Sequence, residues 1–532
     1  MIDLWKIIIE YPSSIKDEES LKEILIQHYP NEVFEIYNIT LAYRWGIITK
    51  IQSLENITIK NVENLAVSLA ETGFRFSGAL RVILQWMNAF GLEIESNIGD
   101  SGDMIVEGDP KAYILKNIDE ISVEIKEFCG FDEKCIIIPS LIGGKQVIGI
   151  GKGAYRDLRK VEKIKISEGI RYIKERAFEG CIQLRDIIFP NSLEEIGGKE
   201  REDDNVNEYV NTCKNNIETQ ENEYSDPNMK LLSCYDKYDY EFLEKGVFRN
   251  TVIEHIILPD NVHRIGNGTF ANMSELTSVK LPDELDEIPD YCFFNCYKLK
   301  SVNVPLKSHT IGNCAFKRCI KLETIDISKG VEWISCQAFK ECLALRKVDI
   351  QGVIEVIFYE AFMSTAIEEI ELPSENINIF DESVFSNCKK LKTVRMGKGF
   401  KSIPDRCFYE CNSLENIELP MTIAKIGKES FVGCENLKKI TIPSSVQVIS
   451  ESAFKNSGLE EVILKEGLFT LEQDCFADCH LSGNIVLPKT LTNIASNCFK
   501  GNYDINFLCY IGSEGIVFAK RNGFDYENAE NR

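Results

Sequence analysis

The feature that most constrains the fold is an aromatic residue that recurs about every 23 residues. A fixed period of this length is the signature of a repeat array, in which each repeat packs only against its neighbours. The steps between these anchor residues are 23, except for two of 22 and one of 70, and the anchors are Tyr155, Phe178, Phe248, Phe270, Phe293, Phe316, Phe339, Phe362, Phe385, Phe408, Phe431, Phe454, Phe476 and Phe499.

Each repeat also contains a short segment of the form L-x-x-I-x-I/L, often closed by proline, as in LENIELP and LKKITIP. The alternation of apolar and polar residues predicts a strand with one face inward, and proline ends the strand because it has no N–H to donate. A second apolar pair, as in TIAKIG, leads back to the next anchor. Each repeat is therefore predicted to make one turn of a flattened coil.

This pattern resembles the surface-antigen (BspA-type) class of leucine-rich repeat over roughly residues 138–512. The stretches IIIPSLIGGKQVIGIGKGAYRDL and YIGSEGIVFAKRNGFDYEN resemble the first and last segments of that family. The resemblance implies a right-handed leucine-rich-repeat solenoid with a parallel β-sheet over residues 115–512 and a C-terminal cap over residues 513–532. A shared repeat fold says little about what is bound.

Two regions depart from the repeat. The 70-residue step holds an acidic, Asn-rich insertion over about residues 198–245, which is predicted to be a loop. Residues 1–100 have apolar positions three and four apart, which predicts helices, and they resemble a small all-helical module of bacterial multidomain proteins. Residues 101–114 read as a linker. The predicted fold class is therefore α+β multidomain, with an N-terminal helical domain followed by the solenoid.

Charge and hydropathy limit the possible partners and the cellular location of the protein. The 60 basic and 83 acidic side chains give a net charge of −23, which disfavours nucleic acid as a partner. The N-terminus lacks the basic and apolar regions of a secretory signal, and no stretch approaches the roughly 20 apolar residues that span a bilayer. We therefore expect no membrane insertion, a cytoplasmic location, and cysteines that are mostly free thiols.

The cysteines follow the repeat. One set lies three residues after an anchor, a position that we call the thiol column, and a second set lies directly before an anchor, where other repeats hold alanine. We interpret both sets as core residues, because a zinc site needs ligands that converge on one point and a solenoid spreads equivalent residues into a line. Redox sensing by one exposed thiol, or a metal bound at Cys129 and Cys135, stays a weaker alternative. No cofactor is predicted.

The residue after the repeat leucine alternates in sign over eight repeats, and we call this position the charge column: Lys300, Glu323, Arg346, Glu368, Lys392, Glu415, Lys438 and Glu460. Parallel strands stack about 4.8 Å apart, so each charge would have opposite charges above and below it. The pattern predicts a cross-strand ion-pair ladder that favours correct stacking. The alternative is a striped binding surface.

The candidate binding site is the residue between the two inward aliphatic residues of each strand, which points away from the core. We call these residues the outer row: Asn303, Asp326, Asp349, Glu371, Arg395, Glu418 and Thr441. The row is mostly acidic and polar and has no evident packing role, so it is the best candidate for a surface that contacts a partner.

These observations favour a non-enzymatic scaffold that binds another protein through an extended solenoid surface. The chain contains no G-x-S-x-G, H-E-x-x-H, P-loop or Rossmann motif that would indicate an enzyme. The alternative is a secreted or surface adhesin that binds host or matrix proteins, which is the role that the family resemblance implies for exported members.

Overall fold

A computed structural model shows the repeats as a β-solenoid of about 15 turns. The structure describes residues 18–28, 39–40, 44, 107–130, 132–197, 246–372, 375 and 377–531. Each turn contributes one strand to each of two faces, and the side chains between the faces form one continuous core.

The L-x-x-I-x-I segments form the first face. Neighbouring strands pair in parallel, and the paired residues are about one repeat apart in the sequence. In Thr324–Ile327 the residues are alternately exposed and buried, as the sequence pattern requires. The strands of this face are β4 Cys135–Ile138, β7 Lys163–Ile166, β9 Asp186–Ile188, β11 His255–Ile257, β13 Ser278–Lys280, β15 Ser301–Val302, β17 Thr324–Ile327, β19 Lys347–Ile350, β21 Glu369–Leu372, β23 Thr393–Met396, β25 Asn416–Glu418, β27 Lys439–Ile442, β29 Glu461–Leu464, β31 Ser482–Val486, β33 Asp504–Cys509 and β34 Asp525–Asn528.

The second apolar pair of each repeat forms the second face, a parallel sheet of two-residue strands. The second residue of each pair is almost always a buried aliphatic that enters the same core from the opposite side. These strands are β8 Tyr172–Ile173, β10 Glu195–Ile196, β12 Arg264–Ile265, β14 Glu287–Ile288, β16 Thr310–Ile311, β18 Trp333–Ile334, β20 Val356–Ile357, β22 Ile379–Phe380, β24 Ser402–Ile403, β26 Lys425–Ile426, β28 Val448–Ile449, β30 Thr470–Leu471 and β32 Asn493–Ile494.

The anchors form a single stack of rings through the core. Ring centroids of consecutive anchors are 4.9–6.2 Å apart, and their planes are tilted by 30° or less. Phe178 and Phe248 stack like the other pairs, with centroids 5.6 Å apart, and Glu195 pairs with Arg264 across the same step. The solenoid therefore continues directly across the 70-residue step, whose residues 198–245 lie outside the described part of the chain.

Both ends of the ring stack are covered by aromatic residues. At the start, Phe128 of β3 Ser122–Phe128 stacks on the first anchor, Tyr155, with centroids 5.1 Å apart. At the end, the helix Glu514–Asn522 places Phe518 against Phe499 at 6.0 Å. The remaining strands flank the first turns: β1 Glu107–Gly108, β2 Tyr113–Asn117, β5 Leu141–Ile142 and β6 Lys145–Ile150. Terminal repeats need such covers because their core would otherwise meet water.

The predicted α+β multidomain class is wrong. The described chain is a β-solenoid with two α-helices, Glu18–His28 and Glu514–Asn522. Two strands and the turn around the anchor use up each 23-residue repeat, so no helix fits between them. Of the predicted helical domain, residues 1–100, the structure describes one short helix, which ends before Tyr29-Pro30, and the helical residues 39, 40 and 44; the other residues lie outside the described part of the chain.

Candidate protein-binding surface

The outer row lies where the alternation predicts, on the solvent side of the first face. Strand pairing places Asp326 opposite Asp349, and it places Arg395 between Glu371 and Glu418. All five of these side chains are exposed, and so is Thr441 on β27. The row thus brings acidic groups of successive repeats side by side on one surface.

Asn303 differs from the rest of the row. It is half-buried, its side-chain oxygen accepts from the backbone N–H of Leu281 at 2.7 Å, and its amide donates to the Leu281 carbonyl at 2.8 Å. The side chain completes the backbone hydrogen bonding between two turns. We therefore assign Asn303 a structural role at the edge of the surface.

The acids of the outer row make no close polar contacts among the described residues. Asp326, Asp349, Glu371 and Glu418 make no side-chain hydrogen bond or ion pair within the part of the chain that the structure describes. Arg395 contacts Glu369 of β21, with its Nη1 3.7 Å from the carboxylate. Like charges directly opposite each other on neighbouring strands destabilise a sheet. The pair Asp326 and Asp349 is therefore an electrostatically unfavourable feature that the fold tolerates.

The charge column lies three residues before the outer row in each repeat, and six of its eight members form ion pairs between turns. Glu323 pairs with Arg346, Glu368 with Lys392 at 3.6 Å, and Lys438 with Glu460 at 3.2 Å. These are separate pairs and not the continuous ladder that the alternation predicts, because each side chain bends toward one neighbour. Residues 23 apart also pair elsewhere on the surface: Lys152 with Glu175, Arg171 with Glu194, Glu275 with Lys298, Glu284 with Lys307, Arg318 with Glu341, Arg406 with Glu429, and Lys428 with Glu451.

The thiol column is buried, as predicted, and it has a second role that the sequence analysis missed. Each of its eight thiols donates to the backbone carbonyl of the anchor in the preceding turn, at 3.0–3.2 Å. These thiols are Cys181, Cys296, Cys319, Cys342, Cys388, Cys411, Cys434 and Cys479. The amide of Asn502 makes the same bond to Phe476 at 2.8 Å. In these repeats the column thus holds a small donor that fits the core, whereas Met273 fills the same position without donating.

Burial disfavours the thiolate form of these residues. Desolvation raises the pKa of Cys388 and of Cys479 to about 11, and that of Cys181 and of Cys296 to about 12. The second cysteine set is buried as well: Cys292, Cys407, Cys475 and Cys498. A thiolate is the reactive form of cysteine, so these groups are poor candidates for redox or nucleophilic chemistry.

Cys129 and Cys135 are exposed, and desolvation raises the pKa of Cys135. In the described ranges, no three His, Cys, Asp or Glu side chains lie close enough together to hold a metal ion. Among the same residues, no helix is both long and apolar enough to cross a membrane.

Sequence reasoning also missed an apolar patch on the second face. Trp333, Val356 and Ile379 occupy the outward position of three successive strands, β18, β20 and β22. The sequence contains a signal for this patch, because the residues at the same repeat position one turn below and one turn above are the polar Thr310 and Ser402. From the sequence alone, this segment is interpreted only as a connection back to the anchor.

Stacked parallel strands of 22 to 23 residues per turn, with an L-x-x-I-x-I face, define a leucine-rich-repeat solenoid. The chain matches the family model described as the BspA type leucine rich repeat region (6 copies) over residues 118–230, 241–364, 286–415, 355–482 and 401–513. The matches cover more than half of the chain, so it belongs to this family. A comparison with curated proteins found no match.

Solved structures of leucine-rich-repeat proteins are similar in fold. A leucine-rich repeat protein from Bacteroides ovatus is 22% identical with a TM-score of 0.52, and the alignment covers 78% of this chain and 98% of that one. A leucine rich cell surface protein from Faecalibacterium prausnitzii is 20% identical with a TM-score of 0.40, covering 76% and 94%. The pneumococcal vaccine antigen PcpA is 16% identical with a TM-score of 0.40, covering 78% and 96%. Of these three, the Bacteroides ovatus protein has a TM-score above 0.5, and at 22% identity that likeness concerns the fold alone.

Proposed function

We propose that the protein is a non-enzymatic scaffold that binds another protein through the outer row of the first face. Membership of a leucine-rich-repeat family supports a role in protein interaction in general. The observation that carries the specific proposal is the placement of Asp326 directly opposite Asp349, both exposed and without an ion pair among the described residues.

The neighbouring charge column shows that the same fold can pair its charges between turns. Two carboxylates on strands about 4.8 Å apart repel each other and gain nothing for the solenoid. A basic side chain from a partner would convert this repulsion into attraction. The partner that fits is therefore a protein that presents Lys or Arg side chains along an extended surface, and its binding should weaken as salt screens the charges.

The test is a double substitution, Asp326→Asn with Asp349→Asn, in the full chain. We expect the variant to lose a partner that the unchanged protein retains from cell extract at low salt, and to unfold at a slightly higher temperature because the repulsion is gone. The matched control is Asp260→Asn with Asp283→Asn, two exposed acids also 23 residues apart. If both double variants retain the same proteins, the outer row is not the binding surface.

A cytoplasmic location is part of this proposal. Its support is that all described cysteines are free thiols, which is typical of a reducing compartment. The alternative is a secreted or surface adhesin that binds host or matrix proteins. Fractionation of the native cells separates the two, because recovery of the protein from the culture supernatant or the cell surface would favour the adhesin.

A further inference from the structure

The apolar patch on the second face is a separate surface from the outer row. Trp333, Val356 and Ile379 pair in register on β18, β20 and β22. The side chains of Trp333 and Ile379 remain exposed, at 39% and 42%, while Val356 between them is buried. Water therefore contacts a large ring and a branched aliphatic side chain two turns apart, on a sheet face where most of the corresponding residues are polar.

The patch rests on a small apolar cluster outside the main core. Val356 packs with Cys336 and Phe358, each no more than 9% exposed, and Tyr359 covers them in part. Such a base holds the exposed side chains on a firm surface. Preformed apolar surfaces of this kind lose little side-chain entropy when a partner binds, which favours docking.

The patch is confined to three turns. At the same position of the repeat, the turn below holds Thr310, which pairs with Trp333, and the turn above, on β24, holds Ser402. Further along the same position are the charged residues Glu287 and Lys425. Since the solenoid folds with polar residues at this position in most other turns, with Val448 as an exception, the fold does not depend on an apolar residue here. An exposed apolar cluster with a polar border is typical of an interaction site.

The border of the patch is acidic. Glu332 and Glu355 precede Trp333 and Val356 and lie on adjacent turns, since the Glu355 N–H donates to the Glu332 carbonyl at 2.9 Å. Glu332 is exposed and makes no side-chain hydrogen bond among the described residues. On the far side, a groove beside Ile379 is lined by Asp381 and by one cation, Lys401. Of these four charged residues beside the patch, three are acids and one is a base.

We propose that this patch docks a basic segment of another protein, one that places a large apolar side chain on Trp333 and Ile379 and Lys or Arg beside Glu332 and Glu355. The apolar contact supplies the affinity, because buried aromatic residues at the centre of an interface contribute most of its binding energy. The acidic border selects the charge of the partner. The surface is on the opposite face from the outer row, so it can be tested independently of the proposed function.

The experiment uses the full chain and three short synthetic peptides, measured by titration calorimetry. One peptide alternates lysine with leucine, one alternates lysine with serine, and one alternates glutamate with leucine. We expect the lysine–leucine peptide to bind with a Kd below about 1 mM and each of the others to bind at least about tenfold more weakly. A change in tryptophan fluorescence on binding that disappears in Trp333→Phe, while the calorimetric affinity persists, would place the peptide on this patch.

The test variants carry residues that occur at the same position in neighbouring turns, so we expect them to fold. Trp333→Thr and Ile379→Ser copy Thr310 and Ser402 from the same position, and we expect each to weaken the lysine–leucine peptide by about tenfold. The matched control is Ile257→Ser, which removes an exposed aliphatic side chain from the first face, 61% exposed, and should leave the affinity unchanged. Glu332→Gln with Glu355→Gln should reduce the affinity and its salt dependence.

Three results would overturn the proposal. The first is no binding of the lysine–leucine peptide, and the second is equal binding to the unchanged protein, Trp333→Thr and Ile379→Ser. The third is that a second copy of the chain covers the patch, shown by a dimer in sedimentation that Trp333→Thr converts to a monomer. The Asp326→Asn and Asp349→Asn variant should bind the peptide normally, so failure of this proposal does not affect the outer row.

Discussion

The anchor column and the charge column lie on the same turns and have nearly the same spacing, yet they are built by opposite rules. In the anchor column phenylalanine stacks on phenylalanine, with centroids 4.9–6.2 Å apart from Phe248 to Phe499. In the charge column each paired residue meets the opposite charge, as Glu323 meets Arg346.

The difference arises because packing between identical rings is attractive, whereas the interaction between identical charges is repulsive. Packing between identical rings is attractive, so repetition of one residue is the simplest solution inside the solenoid. Identical charges at the same spacing repel each other, so repetition is penalised outside it. A solenoid therefore repeats the same residue in its core and alternates the sign of the charges on its surface. Two like charges on adjacent turns, such as Asp326 and Asp349, are an exception and so a candidate for function.

The largest effect should come from the middle of the anchor column. Phe362→Ala removes a fully buried ring that stacks on Phe339 and Phe385, and we expect it to lower the free energy of unfolding by roughly 3–5 kcal/mol. Chemical denaturation measures the change. As a control, Phe469→Ala removes a ring that is 44% exposed and should cost much less. Equal costs would show that the stack is not the main contributor to stability.

The thiol column should give the next largest effect. Cys411→Ala removes the donor to the Phe385 carbonyl and leaves a small cavity, which should cost about 1–2 kcal/mol. Cys411→Ser keeps a donor and should recover part of this loss. Cys135→Ala, at an exposed position, is the control and should change stability by less than about 0.5 kcal/mol. If Cys411→Ser is no better than Cys411→Ala, the thiol hydrogen bond does not stabilise the fold.

Charge reversal tests the outer part of the comparison. Arg346→Glu replaces the pair with Glu323 by a repulsion and adds a like neighbour to Glu368, and we expect a loss of roughly 1 kcal/mol in low salt, since both paired side chains are more than half exposed. The loss should shrink as salt is added.

The double change Arg346→Glu with Glu323→Lys restores the pair in reverse and should recover part of the lost stability. Equal unfolding free energies for the single and double variants at low ionic strength would contradict the pairing. They would also indicate that the charge column serves binding and not stacking.

The sequence predicts the parts of the fold that depend on side-chain type. The anchors, the first-face strands and the buried thiols each have a distinct residue signature at a fixed position. The second face was missed because strands of two residues, such as Lys425–Ile426, are too short to show a period. The structural role of Asn303 was missed because its bond to Leu281 depends on the alignment of two turns and not on local sequence.

The backbone of the anchor turn could not be predicted either. In most repeats the residues two before and two after the anchor have positive φ, and most of them are not glycine: Arg318 has φ 65°, Gln337 57° and Glu341 60°. Large charged residues give no sign of this conformation, which glycine normally marks. The turn adopts it because backbone hydrogen bonds to the next repeat fix the chain, as from the N–H of Glu341 to Met363 at 2.9 Å.

The smallest expected change in stability concerns the positive-φ position two residues after the anchor, where backbone conformation matters more than packing or charge. Ser364 lies two residues after Phe362 with φ 60°, and its N–H donates to the Ser386 carbonyl at 2.9 Å. Glycine adopts this conformation without the steric cost of a Cβ atom, and the chain itself has glycine at the same position in Gly180, Gly433 and Gly501. Ser364→Gly should therefore raise the free energy of unfolding by about 0.5 kcal/mol, even though it removes a side chain.

The control is the same chemical change in a strand. Ser301→Gly on β15 replaces an exposed residue in an extended backbone, where glycine only adds freedom to the unfolded chain, and it should lower stability by roughly 0.5–1 kcal/mol. Chemical denaturation measures both changes in the free energy of unfolding. If they have opposite signs, the left-handed conformation destabilises each repeat that has a residue other than glycine at this position. If Ser364→Gly also destabilises, the serine side chain contributes more to the turn than the backbone strain removes.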